Sequence, residues 1–293
     1  MSEAASVRRR PSVVADVVAL AKPRITFMVL ITTLTGLWLA PGAMAPSVMV
    51  STLLGVALIV AGANALNMYL ERDVDALMTR TRNRPLPTGR LAPEVALAFG
   101  VGAAVVAVPL LTLRVNPLTG FLAALSMVLY VLAYTPLKRR STAALIVGAV
   151  PGAMPPLLGW TAATGTLGAP GLSLFLILFV WQLPHFIAIS IFRADEYTRA
   201  GLKVVPAVRG LHAAKQQIAL YSLLMVAVSL QVVRAGIGGA FYLAAALALG
   251  GGLTTLAAYG LGRGGDARWA RWYFFYTLVY LPSLLAALAL SHR

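Results

Sequence analysis

The sequence predicts an all-α protein, a polytopic membrane bundle of nine transmembrane helices, and three observations carry this prediction. Hydrophobic residues make up 59% of the 293 positions, and charged residues make up only 11%. The mean hydropathy is +0.83. A soluble domain needs far more polar surface to cover its core, so the solvent of this chain is predicted to be lipid. The apolar residues also form runs of about 20, the length that a helix needs to cross a bilayer.

The predicted spans are separated by polar links or by short breaks such as Pro41-Gly42 and Asn116-Pro117. They cover residues 24–42, 48–70, 92–113, 117–137, 143–160, 170–191, 216–234, 238–262 and 270–290. Two links, 71–91 and 192–215, are long and polar. The segment before the first span lacks the features of a secretory signal. We therefore expect residues 1–23 to be a cytoplasmic tail and residues 24–293 to be one membrane domain.

The basic residues predict the orientation of the bundle. With the amino terminus inside, every lysine and arginine except Arg114, Arg234 and Arg293 falls on the cytoplasmic side. This asymmetry predicts an integral protein of a bacterial-type inner membrane, with the carboxyl terminus outside. The net charge of +15 therefore indicates topology, contact with membrane lipid and an anionic partner, and nucleic acid is not expected. The chain has no cysteine, which excludes disulfides and thiolate metal sites.

The scarce acidic residues cluster after the second predicted span. Asn67, Glu71 and Asp75 follow one another at steps of four residues, which on a helix drift by only ~40° per step and cover ~12 Å. Asp73 points to another face. Oxygen ligands on one stripe suit Mg²⁺, a hard ion that few carboxylates hold together with substrate phosphates. The alternative is a solvated helix end, but Asn67 lies at membrane depth, where polar groups usually face a cavity or a partner.

Guanidinium groups follow this stripe in RTRNRPLPTGR, and a second basic group, Lys138 to Arg140, follows the fourth span. Positive-inside anchoring explains Arg80 and Arg82 equally well. A metal that bridges carboxylates to a polyphosphate would also need such cations for the remaining oxygens. The chain has no P-loop motif, so a nucleotide is not the obvious phosphate.

His185 is the only histidine inside an apolar span. Pro184, just before it, can free a carbonyl and widen the helix, and PGAMPPLLGW in the fifth span carries similar breaks. These features predict a cavity within the bundle. The histidine could serve in that cavity, or it could be hydrogen-bonded to a neighbouring helix.

Four segments resemble a known family. NMYLERDVD is similar to the first N-x-x-x-[DE]-x-x-x-D motif of the UbiA-type intramembrane prenyltransferases. The longer segment NALNMYLERDVDALMTRTRNRPLPTGR, together with YTPLKRRS, PGAMPPLLGWTAATG and WQLPHFIAISIFRADEYTRAG, resembles the heme-farnesylating branch of that superfamily, in the same order. The resemblance implies the UbiA-type fold and an enzyme that attaches the farnesyl group of farnesyl diphosphate to a vinyl group of heme B. Water captures the resulting cation and gives heme O.

The resemblance also implies the roles of individual residues. It places Mg²⁺ on Asn67, Glu71 and Asp75, which with His185 form the expected catalytic set. The residues expected to bind substrate are Arg72, Arg84, Lys138, Arg139, Asp195 and Arg199. Superfamily members that prenylate phenolic acids carry a second D-x-x-x-D motif after the sixth span, and this chain does not. Partner proteins that process heme are also expected.

Two other functions remain open at this stage. One is a prenyltransferase for a quinone or chlorin precursor. The other is a transporter of an anionic lipid or isoprenoid, because transporters often have repeated halves with broken spans. The acidic helix ends at 71–75 and 195–196 suggest a weak repeat of that kind. The position of the carboxylate stripe at the mouth, away from the midplane, favours catalysis.

Overall fold

The structure is a computed structural model that describes residues 12–262 and 266–291. The first half of the predicted tail, with Arg8, Arg9 and Arg10, lies outside the described residues, as do Arg263 and Arg293. That part of the charge pattern stays a prediction. Within the described residues every regular element is a helix, which confirms the all-α class.

The helices follow one another with short links. They are α1 (Val13–Leu20), α2 (Pro23–Trp38), α3 (Pro46–Leu77), α4 (Pro93–Arg114), α5 (Pro117–Val128), a π-helical turn (Leu129–Tyr134), α6 (Thr135–Leu137), α7 (Ala144–Thr164), α8 (Ala169–Phe192), α9 (Ala194–Arg199), α10 (Val205–Arg234), α11 (Ala240–Gly262) and α12 (Ala267–Ser291). Proline stands in the first turn of many of them, where its missing N–H costs no hydrogen bond.

In the described ranges, eight helices are long and apolar enough to cross a membrane, one fewer than the nine predicted. The difference is the first span, predicted at 24–42. Its helix, α2, has 16 residues and ends at Trp38, so it is about 24 Å long against a hydrocarbon core of about 30 Å. Pro41 cannot continue the helix, and Gly42 has a positive φ of 88°, which turns the chain towards α3.

The long link predicted at 71–91 begins later than expected, because α3 has 32 residues and continues to Leu77. The acidic stripe is therefore held on a regular helix beyond the apolar part of the span. The other long link, 192–215, contains α9 and the start of α10, with a break at Gly210, whose φ is 83°.

Two apolar clusters form the core of the bundle. One joins α8, α10, α11 and α12 and contains two hydrogen-bonded pairs, Ser222 with Tyr273 at 2.7 Å and Ser229 with Tyr280 at 3.0 Å. The other joins α3, α4, α5 and α7. Close approach of α2 to α7 depends on glycine, because a Cβ on Gly159 would overlap the backbone of Thr33.

The helices predicted to break around their prolines are continuous in the structure, but some of their backbone carbonyls lack a helical N–H donor. Pro155 has no N–H, so the carbonyl of Pro151 loses its helical donor, and the Ser126 hydroxyl donates to it at 3.4 Å. The π-helical turn has a similar local partner, since the Thr135 hydroxyl donates to the carbonyl of Tyr130 at 2.8 Å. Both irregular segments line the same internal cavity.

Candidate active site

The polar stripe on α3 is intact and faces the interior. Asn67, Glu71 and Asp75 are 3%, 6% and 4% exposed and all line the cavity. Asp73 lies on the outer surface, where its carboxylate pairs with Arg139 at 2.6 Å. The structure thus places these four side chains on the two faces that the helical period predicts.

Basic side chains from two different segments pair with the carboxylates of the stripe. Lys138, after α6, lies with its Nζ 2.5 Å from Glu71 Oε1. Arg84, in the link after α3, donates from Nη1 to Asp75 Oδ2 at 2.6 Å. Both cations are partly buried, so these pairs are much less screened than surface ion pairs.

Glu71 and Thr135, the first residue of α6, fix the orientation of Asn67. Its Nδ2 donates to Glu71 Oε2 at 2.8 Å and to the Thr135 hydroxyl at 3.1 Å. The amide oxygen is therefore turned towards the cavity, where Lys22 Nζ donates to it at 3.3 Å. An oxygen held in this way can serve as a ligand beside the two carboxylates.

Lys22 is a site residue that the sequence reasoning did not find. It stands before Pro23, at the start of α2, with a left-handed φ of 45°, and this backbone turn directs the side chain into the cavity. Burial, and then the neighbouring Arg84 and Lys138, lower the pKa of Lys22 to about 7. A bound anion would favour its charged form. The only sequence signal was a basic residue directly before a proline-initiated span.

The cavity measures about 510 Å³ and extends from a charged mouth into the bundle. The mouth is formed by the polar stripe and its basic partners, namely Asn67, Glu71, Asp75, Lys22, Arg84 and Lys138. Beyond the stripe, apolar side chains of α2, α3, α5, α7 and α8 line most of it, among them Val29, Val56, Met127 and Leu158. Tyr130 and Tyr134 of the π-helical turn also lie on its wall. The arrangement suits an amphiphile with an anionic head at the mouth and a hydrocarbon tail inside.

The residues at the mouth fit a magnesium ion held together with substrate oxygens. In the described part of the chain, no three His, Cys, Asp or Glu side chains gather closely enough for a metal site of their own. Two carboxylates and the amide oxygen of Asn67 are the hard ligands that Mg²⁺ prefers. Glu71 Oε1 is buried and, although Lys138 lies close, it accepts no directed hydrogen bond. This carboxylate oxygen can therefore coordinate a metal ion.

Four residues predicted to bind substrate lie elsewhere. Arg72 is on the outer face of α3, where it donates to the carbonyl of Tyr69 at 2.7 Å. Arg139 is held at the surface by Asp73. Asp195 and Arg199 line a separate small pocket with Phe192 and Arg271. The structure thus places these four residues outside the lining of the cavity, and their substrate-binding roles stay predictions. Charge and sequence proximity do not determine which face of a helix a residue occupies.

The mouth instead contains other basic residues that the prediction omitted or left undecided. Arg80 and Lys203 line the cavity together with Lys22, Arg84 and Lys138. Glu196, next to Asp195, accepts from Arg193 at 2.9 Å and from the backbone of Arg80 at 3.3 Å, so it holds the link over the mouth.

His185 does not line the cavity. It is buried at 7% exposure, its Nδ1 lies 2.7 Å from the Thr277 hydroxyl, and its ring stacks on Trp181 at 4.5 Å. Gln182 and Phe186 of the same helix do face the cavity. The structure thus agrees with the second interpretation of this histidine, in which it is hydrogen-bonded to a neighbouring helix, here α12. Its predicted catalytic role stays a prediction.

A comparison with known protein families agrees with this all-helical membrane bundle and its charged, apolar-lined cavity. Residues 29–279 fit the UbiA prenyltransferase family, and the chain belongs to that family. The protoheme IX farnesyltransferase of Myxococcus xanthus is 50% identical over 281 residues, which cover 96% of this chain and 96% of that protein.

Solved structures agree on the fold. A structure of digeranylgeranylglyceryl phosphate synthase superposes with a TM-score of 0.82 at 15% identity, covering 95% of this chain and 98% of that one. A UbiA homolog from Archaeoglobus fulgidus, bound to DMAPP and Mg²⁺, gives a TM-score of 0.66 at 14% identity and covers 93% of this chain and 99% of that one. The predicted fold family is therefore confirmed, and the chain is an integral membrane protein.

Proposed function

We propose that this chain transfers the farnesyl group of farnesyl diphosphate to a vinyl group of heme B and adds water, which gives heme O and diphosphate. The observation that carries the proposal is a carboxylate and cation mouth opening into an apolar cavity of about 510 Å³. The 50% identical relative named protoheme IX farnesyltransferase supports this choice of prenyl donor and acceptor.

The mouth residues act on the leaving group. When farnesyl diphosphate ionises, the bond between C1 and oxygen breaks and its electron pair leaves with the diphosphate. Arg84 and Lys138 stand within 2.6 Å of the carboxylates, at the place where this negative charge develops, and donate charge-assisted hydrogen bonds to it. Lys22 adds a third positive charge. Magnesium, held by Asn67, Glu71 and Asp75, would supply further charge neutralisation. The structure of the Archaeoglobus fulgidus homolog, bound to DMAPP and Mg²⁺, supports this choice of metal.

The cavity wall acts on the allylic cation. The rings of Tyr130 and Tyr134 lie 5.4 Å apart beside the mouth, and their π faces can stabilise a cation in a desolvated site. The apolar lining deeper in the bundle excludes water while the vinyl electron pair forms the new carbon–carbon bond to C1. The cation that remains on the carbon next to the porphyrin is then captured by water, which releases a proton.

Analysis of extracted hemes tests the proposal. Cells that lack heme O would be supplied with this chain or with its Glu71→Gln variant, and their hemes would be measured by mass spectrometry. We expect a heme heavier than heme B by one farnesyl group and one hydroxyl group with the unchanged chain only. Purified protein should release diphosphate when heme B is present. Diphosphate release with a quinone precursor, and no farnesylated heme, would overturn the proposed acceptor.

We also propose that the mouth and the amino terminus lie on the cytoplasmic side, as the basic residues predict. A topology reporter inserted within 80–90 is expected to read as cytoplasmic, and one inserted after Thr164 is expected to read as outside. Thr164 ends α7, at the opposite end of that helix from the basic residues 138–140. If both reporters read on one side, the proposed orientation is wrong.

A further inference from the structure

A second pocket lies beside α9, at the same end of the bundle as the charged mouth, and the steps described above do not use it. Its lining comes from the end of α8, from α9 and from the start of α12, and consists of Phe192, Arg193, Asp195, Glu196, Arg199 and Arg271. The buried Glu196 accepts from Arg193 at 2.9 Å and from the backbone N–H of Arg80 at 3.3 Å. Because Arg80 lines the cavity, Glu196 joins the second pocket to the mouth.

Two arginines of the second pocket have no carboxylate partner in the described part of the chain. Arg199 uses only its Nε, which donates to the backbone carbonyl of Asp195 at 3.3 Å, so both of its Nη groups are available to a ligand. Arg271 takes part in none of the ion pairs. Glu196 is already paired with Arg193, and the exposed Asp195 is the other negative side chain of the pocket. The pocket therefore has a net positive charge and suits an anionic ligand.

The ring of Phe192 brings two of these guanidinium groups together. The guanidinium carbon of Arg271 lies 5.8 Å from the ring centre, and that of Arg193 lies 6.0 Å from it. Two like charges this close to one ring repel each other, and a bound anion offsets that repulsion. A carboxylate is a suitable anion, because a planar guanidinium group binds it through two parallel hydrogen bonds.

A series of ring contacts leads from the second pocket to the wall of the cavity. Phe192 lies 5.7 Å from Phe274, and Phe274 lies 4.8 Å from His185. His185 in turn lies 5.3 Å from Phe186, which lines the cavity and is 44% exposed, so the cavity is open to the surface of the bundle there. Phe192 and Phe186 are six residues apart on α8, which is about 9 Å along the helix axis. A single porphyrin can span this distance.

We propose that the second pocket binds the propionate carboxylates of heme B, an inference that rests on the proposed function. Heme B has its two propionates at one edge of the porphyrin and its two vinyl groups towards the other edge. With the carboxylates bound by Arg199 and Arg271, the vinyl edge reaches the opening of the cavity at Phe186. The aromatic side chains between the two places give the porphyrin a flat apolar contact. The arginines orient the acceptor and take no part in the bond changes.

Heme B and its dimethyl ester test this role, because the ester has the same porphyrin but no carboxylate charge. The double variant Arg199→Gln with Arg271→Gln and the unchanged chain would be purified in neutral detergent and titrated with each compound by absorbance. We expect the variant to bind heme B about tenfold more weakly, roughly the effect of one charge-assisted hydrogen bond. The ester should bind both proteins equally, and about as weakly as heme B binds the variant. The affinity for farnesyl diphosphate should not change.

Arg268→Gln is the matched control, because it makes the same change about one turn earlier on α12. Arg268 is exposed and does not line the second pocket, so this variant should bind heme B as the unchanged chain does. An unchanged affinity of the double variant for heme B would overturn the proposal. An equal loss of affinity for heme B and for the ester would overturn it too, because the arginines would then not recognise the carboxylates.

A phospholipid headgroup is the other anion available at this surface, so the titrations would be repeated in vesicles. The proposal requires the same loss of heme B affinity in vesicles of phosphatidylcholine alone and in vesicles that also contain phosphatidylglycerol. A loss that appears only with phosphatidylglycerol would assign the pocket to lipid and contradict the proposal. If the unchanged chain binds heme B in this charge-dependent way but forms no farnesylated heme, the proposed function fails and the assignment of the pocket stands.

Discussion

Replacing Glu71 by Gln or Asp75 by Asn is expected to lower farnesyl transfer by about 10²- to 10³-fold, the usual effect of removing one group that stabilises transition-state charge. Both carboxylates are buried at the mouth and share their face with Asn67. The amide keeps the shape of each side chain but loses the negative charge that a divalent ion requires. Diphosphate release by purified protein, measured against Mg²⁺ concentration, checks this result.

Asp73→Asn is the matched control, because it makes the same chemical change two residues away on the same helix. The Asp73 side chain is 63% exposed and pairs only with Arg139 at the surface. Exposed ion pairs contribute about 0–1 kcal/mol, so this variant should retain most of its turnover. Equal losses in all three variants, with equal amounts of folded protein, would contradict the assignment of the stripe.

Helical periodicity made the stripe predictable, and the structure places it as predicted. Residues four apart stay on one face whatever surrounds them, so Asn67, Glu71 and Asp75 could be grouped from the sequence alone. The spans were predictable for a similar reason, since a lipid solvent forces long apolar helices. The first predicted span, 24–42, corresponds to α2, which ends at Trp38, three residues before the Pro41-Gly42 break that the sequence shows.

The partners of the stripe were only partly predictable. Arg84 and Arg72 are both basic residues close to the carboxylates in sequence, yet only Arg84 faces the cavity, because the link after α3 folds back over the mouth. This fold depends on contacts distant in sequence, such as the one from Glu196 to the backbone of Arg80. Lys22 is directed inwards by a left-handed backbone conformation that no side-chain pattern reveals.

His185 shows the limit of arguing from residue type. A lone histidine at membrane depth needs a polar partner, but the sequence could not say whether that partner is a ligand or another helix. Thr277, which lies 92 positions later in the chain, provides the partner.

Removal of a cation from the mouth is expected to have the second large effect. Arg84→Met should lower turnover by about 10²- to 10³-fold, because the developing diphosphate charge loses a charge-assisted donor in a poorly screened site. Affinity for farnesyl diphosphate should fall as well. Both quantities can be measured with purified protein, by diphosphate release and by titration of the substrate.

Arg139→Met is the control, because Arg139 pairs with exposed Asp73 and does not line the cavity. Arg84→Met alone leaves Asp75 buried and unpaired, which destabilises a fold strongly. The double variant Asp75→Asn with Arg84→Met removes both charges and should restore the thermal midpoint but not turnover. Recovery of turnover together with stability would show that Arg84 serves only to neutralise Asp75. Since Asp75→Asn alone is expected to be inactive, the role of Arg84 rests on the single variant: its affinity for farnesyl diphosphate, measured on folded protein, should fall, and an unchanged affinity would contradict contact with the diphosphate.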